Sequence, residues 1–380
     1  MEFQPYPFEK LNLLISGIQT EGRRISLTIG EPQFETPACI CEALKENVES
    51  LNKYPKTAGE ESLKDSMRSF MQRRFNITLK PNELIPTFGT REALFNFPQF
   101  YLFDQQSPTL AHPNPFYQIY EGAALACRAK SIYMNLTTQN NFKPSLTKEQ
   151  MQACDLVILN SPNNPTGATL SLEELKVWVQ NALEFDFLLL NDECYSEIYS
   201  NQKPASILQA SLEVGNENFK NTLALNSISK RSSAPGLRSG FIAGDSTILK
   251  PYLQYRTYVG CASPLPLQAA ATLAWSEETH TEFSRAQYAK NLRLAYEILS
   301  SKIPNLRIPE ETFYVWLPVS NDLEWTKNLL AKENILVLPG SFLSRTDKNG
   351  ENPGRNFVRL ALVYEESIIQ DSLLRLQKWL

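Results

Sequence analysis

Residues 155–183, DLVILN SPNNPTGATL SLEELKVWVQNAL, carry three signals in series. Asp155 to Asn160 is a short, almost continuous apolar run, the length of a strand buried on both faces. A loop rich in Pro, Asn and Gly follows, and then apolar residues recur at helical spacing. Ser171 with Glu174 three residues later reads as a capping box that opens this helix. Short apolar runs bounded by polar or Gly residues return at FLLLND (187–192), NTLALNS (221–227) and SGFIAGD (239–245). Buried strands alternating with amphipathic helices predict an α/β unit on a mostly parallel sheet covered by helices. Ligands of such sheets gather at the carboxyl ends of the strands.

Outward from this stretch the texture changes. From about Pro266 the chain reads as longer helices, such as SEETHTEFSRAQYAKNLRLAYEILSSKI (276–303). Strand-like segments then follow at ETFYVWLPV (311–319), ILVLPG (335–340) and NFVRLALV (356–363). The reading is a large domain over 41–265 and a smaller α+β domain formed by 1–40 with 266–380. The chain's 380 residues, 42% hydrophobic, suffice for a large core and a deep cleft. Lys and Arg total 37 against 41 Asp and Glu, a formal charge of −4, so no positive surplus points to nucleic acid or anionic lipid. Six cysteines without C-x-x-C spacing and two distant histidines predict neither a metal site nor a disulfide framework. The start MEFQPYPFEK lacks the pattern of a signal peptide and no apolar run suits a membrane span, so the expected compartment is the cytoplasm.

Four loops follow predicted strands and present polar groups that a packed core does not need. They are Gly89-Thr90-Arg91-Glu92, Ser161 to Gly167, Asn191 to Tyr195, and Ser227-Ile228-Ser229-Lys230 running on to Arg238. Together with Ile29-Gly30-Glu31-Pro32 and Arg359, these strings resemble the class I/II aminotransferases of the aspartate aminotransferase fold. The resemblance covers nearly the whole chain. It implies fold type I of the enzymes that use pyridoxal 5'-phosphate: a mostly parallel seven-stranded sheet in the large domain, plus the smaller α+β domain.

The residues suit that cofactor. Its chemistry needs an amine that bonds to the aldehyde and later moves a proton at the substrate's α-carbon, and Lys230 just after a strand can supply both. The phosphate is a near-dianion that calls for helix N-terminal N–H groups, hydroxyls and a cation. Gly89, Thr90 and Arg91 open the helical stretch EALFNF, and by resemblance Ser227, Ser229 and Arg238 bind the same phosphate, with Tyr54 reaching it from the neighbouring subunit of a homodimer with shared sites. A pyridine ring withdraws electrons best when its nitrogen stays protonated, which a buried carboxylate enforces; Asp192 ends an apolar strand and is placed for this. Tyr195 and Asn164 match the donors to the ring's phenolic oxygen, and Tyr117 matches the aromatic stacked on the ring. Arg359 lies inside NFVRLALV, where a permanent cation needs a partner; the α-carboxylate of a substrate, also met by the Gly30 N–H, fits its planar fork.

The resemblance therefore implies amino transfer between amino acids and 2-oxo acids, with glutamate and 2-oxoglutarate as expected partners. RTYVGCASPLPLQAA, LPGSFLSR and NPGRNFVRLALV are nearest in texture to the bacterial succinyldiaminopimelate transaminases, which act on N-succinyl-LL-2,6-diaminopimelate in lysine and cell-wall synthesis. Aspartate or aromatic aminotransferases and C–S lyases of the same scaffold share these motifs. A regulator that only senses the cofactor is a remote alternative, since it would carry a winged helix for which the short stretch before Ile29 leaves no room. Arg23, Arg24, Arg256, Arg345 and Arg355 are candidates, by charge alone, for a distal substrate carboxylate.

Overall fold

The computed structural model describes residues 3–303 and 306–380. Strand β1 (Ile25–Ser26) carries the N-terminal segment into the smaller unit, and the next seven strands form one sheet. They are β2 (Leu84–Phe88), β3 (Thr109–Asn114), β4 (Lys130–Asn135), β5 (Leu156–Asn160), β6 (Leu188–Asp192), β7 (Thr222–Ser227) and β8 (Ser239–Gly244). Their order is β2-β8-β7-β6-β5-β3-β4. All neighbours run parallel except β8, which is antiparallel to both β2 and β7.

The central strands β5 to β8 are mostly apolar and buried along their whole length because both faces are covered. Leu159, Leu189, Ala224 and Phe241 pack into one layer of helices, while Ile158, Leu190, Leu225 and Ile242 pack into the other. The helix Leu172–Phe185 shows how local sequence builds such a layer. Ser171 Oγ accepts from the Glu174 N–H (3.3 Å), and the Glu174 carboxylate accepts from the Ser171 N–H (2.8 Å), so the expected capping box forms. Leu175, Trp178, Val179 and Ala182 then bury one stripe, each large side chain contributing about 1.5–3 kcal/mol. Asp186 ends the helix in the left-handed region, at φ 56°.

The smaller unit holds β9 (Tyr314–Pro318), β10 (Ile335–Leu336), β11 (Leu338–Pro339) and β12 (Phe357–Ala361). Strands β11, β12 and β9 form an antiparallel sheet, and β1 pairs in parallel with β10, which ties the N-terminal segment to the C-terminal one. The helix expected over 276–303 runs Thr279–Leu299 instead. Ser276 belongs to the preceding helix, Leu265–Ser276, and Glu277 is extended (ψ 134°), so the chain turns between the two. The Glu278 carboxylate at this turn is held by Arg73 and Arg231. Helix Leu265–Ser276 places Ala270, Ala271, Ala274 and Trp275 in the core of the large sheet. No helix among the described residues is long and apolar enough to cross a membrane.

Candidate active site

Strand direction assembles the site. Strands β2, β3, β5, β6 and β7 end at the same edge of the sheet, and the antiparallel β8 begins there. Registers Asn160 to Asp192, Asp192 to Leu225 and Phe88 to Ser239 set the loops that follow side by side. A cavity of about 550 Å³ opens at this edge. It is lined by Gly30, Thr90, Arg91, Tyr117, Asn164, Asp192, Tyr195, Ser227, Ser229, Lys230, Arg238 and Arg359. Residues up to 329 positions apart in the chain, from Gly30 to Arg359, thus converge on one volume.

Lys230 lies on the one-turn helix Ile228–Arg231, which Ser227 opens by accepting from the Ser229 N–H (3.1 Å). Its ammonium donates to the Gly30 carbonyl, and burial pushes the amine below its ordinary range, toward the neutral form that acts as a nucleophile. The next residue, Arg231, points the other way into an ionic cluster with Glu197 and Glu278, where Arg74 Nε also donates to Glu197 (2.6 Å). That anchoring fixes the turn from which Lys230 projects.

Asp192 is 4% exposed. Desolvation raises its pKa, against the opposing bonds from Cys194 and from the Tyr120 hydroxyl, which donates to Oδ2 at 2.8 Å. The Tyr195 and Tyr314 hydroxyls lie 3.1 Å apart. The side-chain oxygen of Asn164 accepts from Arg359 Nη1 (2.8 Å), which leaves the amide N–H₂ free to donate elsewhere. Tyr117 accepts from Arg91 Nε at 2.6 Å and meets Tyr120 edge-on.

Gly89 caps the helix Thr90–Tyr101 at φ 71°, and a Cβ there would stand 2.1 Å from the Arg238 guanidinium. Glycine is required both for its conformation and for this approach. Gly30 is similar in kind, since a Cβ would overlap the Tyr314 hydroxyl.

The charge balance of the cavity identifies what it accepts. Four basic side chains line it, and none is paired with an acid among the described residues. Arg238 donates only to the carbonyls of Pro235 and Phe88, and Arg91 to a hydroxyl. Arg359, 5% exposed, donates to Asn164 and to the Thr28 carbonyl (2.5 Å), lies 4.4 Å over the Tyr314 ring, and keeps Nε without a partner. Arg359 is buried, Arg238 half-buried and Arg91 exposed, and a buried cation in that state calls for an anionic ligand. A phosphate between a helix N-terminus, two serines and Arg238, and a carboxylate on Arg359, satisfy the demand.

A family model for class I and II aminotransferases matches residues 23–364. The chain is a class I/II aminotransferase. Enzymes of this family depend on pyridoxal 5'-phosphate, and the donor set of the cavity fits that group at both its phosphate and its ring nitrogen. The crystal structure of the aminotransferase AspB from Helicobacter pylori is 54% identical, with a TM-score of 0.96 over 100% of this chain and 99% of that one. The 4-dedimethylamino-4-oxo-anhydrotetracycline transaminase OxyQ of Streptomyces rimosus is 29% identical over 93% of this chain and 92% of its own length. LL-diaminopimelate aminotransferase 2 of Nostoc sp. is 28% identical over 98% of this chain and 95% of its own. The aminotransferase fold expected from the sequence, with its mostly parallel seven-stranded sheet, is the one observed.

Two sequence-selected residues stand outside the cavity lining. Gly89 supports it from behind, through Arg238. Tyr54 is fully exposed on this chain, so within one subunit it reaches no part of the site. None of the five arginines selected by charge lines the cavity. Arg256 is buried against Glu92 (2.9 Å), Arg345 pairs with Glu121 (2.6 Å), Arg23 and Arg24 line a separate surface groove, and Arg355 is exposed. The structure adds Tyr6, Phe8, Gln118, Tyr120, Cys194 and Tyr314 to the lining.

Proposed function

We propose that this aminotransferase exchanges the amino group between N-succinyl-LL-2,6-diaminopimelate and 2-oxoglutarate, with glutamate as the donor in the biosynthetic direction, in the cytoplasm. The observation that carries this reading is the cavity's third guanidinium, the exposed Arg91. Arg359 accounts for an α-carboxylate and Arg238 for a phosphate, which leaves Arg91 beside Gln118, Tyr6 and the apolar Phe8, Phe116, Leu338 and Leu343 for the far end of a long, doubly anionic substrate. The similarity to an enzyme named for LL-diaminopimelate supports the same carbon skeleton.

In this reading Lys230 would hold the cofactor and would take and return the proton at the substrate's α-carbon. Bound pyridoxal 5'-phosphate supplies the aldehyde that receives the amino group and the ring that withdraws electrons. Asp192 would hold the ring nitrogen protonated, and Tyr195 and Asn164 would donate to the ring oxygen. Tyr117 would cover the ring. Thr90, Ser227, Ser229, Arg238 and the N–H groups of Gly89 to Arg91 would hold the phosphate. Arg359 and the Gly30 N–H orient the substrate by its carboxylate. On a division into a large domain, 41–265, and a small one, 1–40 with 266–380, in which helix Leu265–Ser276 nonetheless packs on the large sheet, Arg359 and Gly30 fall on the small side and Lys230 on the large.

The specificity is tested by kinetics of the cofactor-loaded enzyme with the succinylated compound, LL-diaminopimelate, aspartate and phenylalanine, each paired with 2-oxoglutarate. The succinylated compound should show the highest kcat/KM. Absence of its turnover, with another donor accepted, rejects the substrate assignment and leaves the aminotransferase.

Homodimeric sites completed by the partner's phosphate contact account for the full exposure of Tyr54, an aromatic with no role on its own subunit. Mixing an inactive Tyr54→Ala enzyme with an inactive Lys230→Ala enzyme should then restore part of the activity, since hybrids carry one intact site. No recovery despite confirmed subunit exchange refutes the shared site.

A further inference from the structure

The Tyr120 side chain is fully buried in the wall of the cavity, and its hydroxyl donates to Asp192 Oδ2 at 2.8 Å. We infer that Tyr120 is a positioning residue for Asp192, holding one carboxylate oxygen so that the carboxylate stays ionised and presents a fixed face to the cofactor's ring nitrogen. The inference rests on the proposed role of Asp192 and is independent of which amino acid is the substrate.

The geometry leaves the hydroxyl no freedom. Tyr120 lies in the first turn of helix Ile119–Ala126, wedged edge-on against Tyr117 (centroids 5.9 Å, 86°) and beside His112 (6.3 Å). His112 is itself locked, its Nδ1–H donating to the Pro113 carbonyl at 2.8 Å, and burial lowers its pKa to about 4, so it adds no charge at neutral pH. Burial and the Asp192 charge push the Tyr120 phenol well above its ordinary range, so it remains a donor.

Besides Tyr120, the Asp192 carboxylate is bonded only by Cys194 among the described residues, through its N–H and its thiol. Its second oxygen, Oδ1, accepts the Cys194 N–H at 3.2 Å. The Cys194 thiol, 3.1 Å from Thr90 Oγ1, also bonds the Asp192 carboxylate; burial and that charge drive the thiol up, so it stays a neutral donor beside the Tyr120 hydroxyl. From the neighbouring strands come the neutral Asn160 amide, which donates to the Asp192 backbone carbonyl, and, past β7, Lys230. Tyr117, edge-on to Tyr120, is driven up by burial and stays neutral. A buried carboxylate with so few partners favours its neutral form, and a donated hydrogen bond opposes this.

The sign of the effect follows. Without the hydroxyl, the folded-state pKa of Asp192 rises further, and the carboxylate protonates at a higher pH as the solution is acidified. Tyr120→Phe keeps the ring and its packing. In the cofactor-loaded enzyme it should lower kcat for glutamate roughly tenfold with both KM values within about twofold of native, the scale of one hydrogen bond to a charged group. It should also move the acid limb of the kcat–pH profile to higher pH and weaken binding of pyridoxal 5'-phosphate to the apoprotein. Replacing Tyr120 by 3-fluorotyrosine, which keeps the hydroxyl and makes it the stronger donor, should move the acid limb the other way. Native kcat, pH profile and cofactor affinity in folded Tyr120→Phe, or an acid limb that fluorotyrosine leaves in place, overturn the inference. Asp192→Asn separates the two levels: if it is inactive while Tyr120→Phe is native, only the role of Tyr120 fails, and if it is fully active the assignment of Asp192 fails first.

Discussion

Lys230→Ala should lose transamination by at least about 10,000-fold, because in the proposed mechanism one side chain supplies both the bond to the cofactor and the proton transfer at the substrate. Two features of its setting make the loss hard to compensate. The other cations of the cavity are guanidinium groups, which do not deprotonate in proteins and cannot act as the base. Burial also shifts the Lys230 amine, not a neighbour, toward its neutral form. The fold should survive, since the variant removes a desolvated cation whose hydrogen bond is to the Gly30 carbonyl alone, and the ionic cluster around Arg231 is untouched. Borohydride treatment of the native holoenzyme should fix the cofactor to the chain and fail to do so in the variant, with melting temperatures within a few degrees. A variant that still fixes the cofactor and turns over near the native rate would mean that another residue is the reactive amine.

The parts of this site that were legible in the sequence are those written within a few residues. The loop SPNNPTG, the Ser171 and Glu174 cap, and Lys230 between Ser227 and Arg238 each announce themselves locally, because a turn, a cap or a phosphate cradle is built from adjacent residues. Strand burial was legible for the same reason. The direction of β8 was not, since SGFIAGD looks alike whichever way it runs, and only its pairing between β2 and β7 reverses it. Tyr120 was hidden because a tyrosine in the first turn of an apolar helix looks like core, and its partner Asp192 is 72 positions away. The same distance problem hid Tyr314, whose hydroxyl meets Tyr195 across 119 positions. Charge alone misled in the case of the five arginines. Arg256 and Arg345 are neutralised by Glu92 and Glu121 through contacts 164 and 224 positions apart, while Arg91, one of four lining cations without an acidic partner among the described residues, reads in the sequence only as part of a phosphate loop.

Arg359→Ala should raise KM for amino donor and keto acceptor together, because every substrate of the reaction presents an α-carboxylate to the same fork. Truncating one partner of a desolvated charge pair costs about 2–5 kcal/mol, which corresponds to a loss of about 30- to 5,000-fold in kcat/KM. The effect should reach beyond the carboxylate. Arg359 also holds the Asn164 side-chain oxygen and the Thr28 carbonyl and covers the Tyr314 ring, so its removal frees Asn164 to rotate and kcat should fall as well. Arg359→Lys should recover only part of the loss, since an ammonium cannot meet Thr28, Asn164 and a bidentate carboxylate at once. Cofactor affinity is the control, because the phosphate cradle of Thr90, Ser227, Ser229 and Arg238 lies on the large-sheet side and is not touched. Titration of apoprotein with pyridoxal 5'-phosphate should therefore give a Kd within about threefold of native in both variants. A variant whose substrate KM values are native while its cofactor affinity collapses would place Arg359 on the phosphate and leave the substrate carboxylate to Arg91.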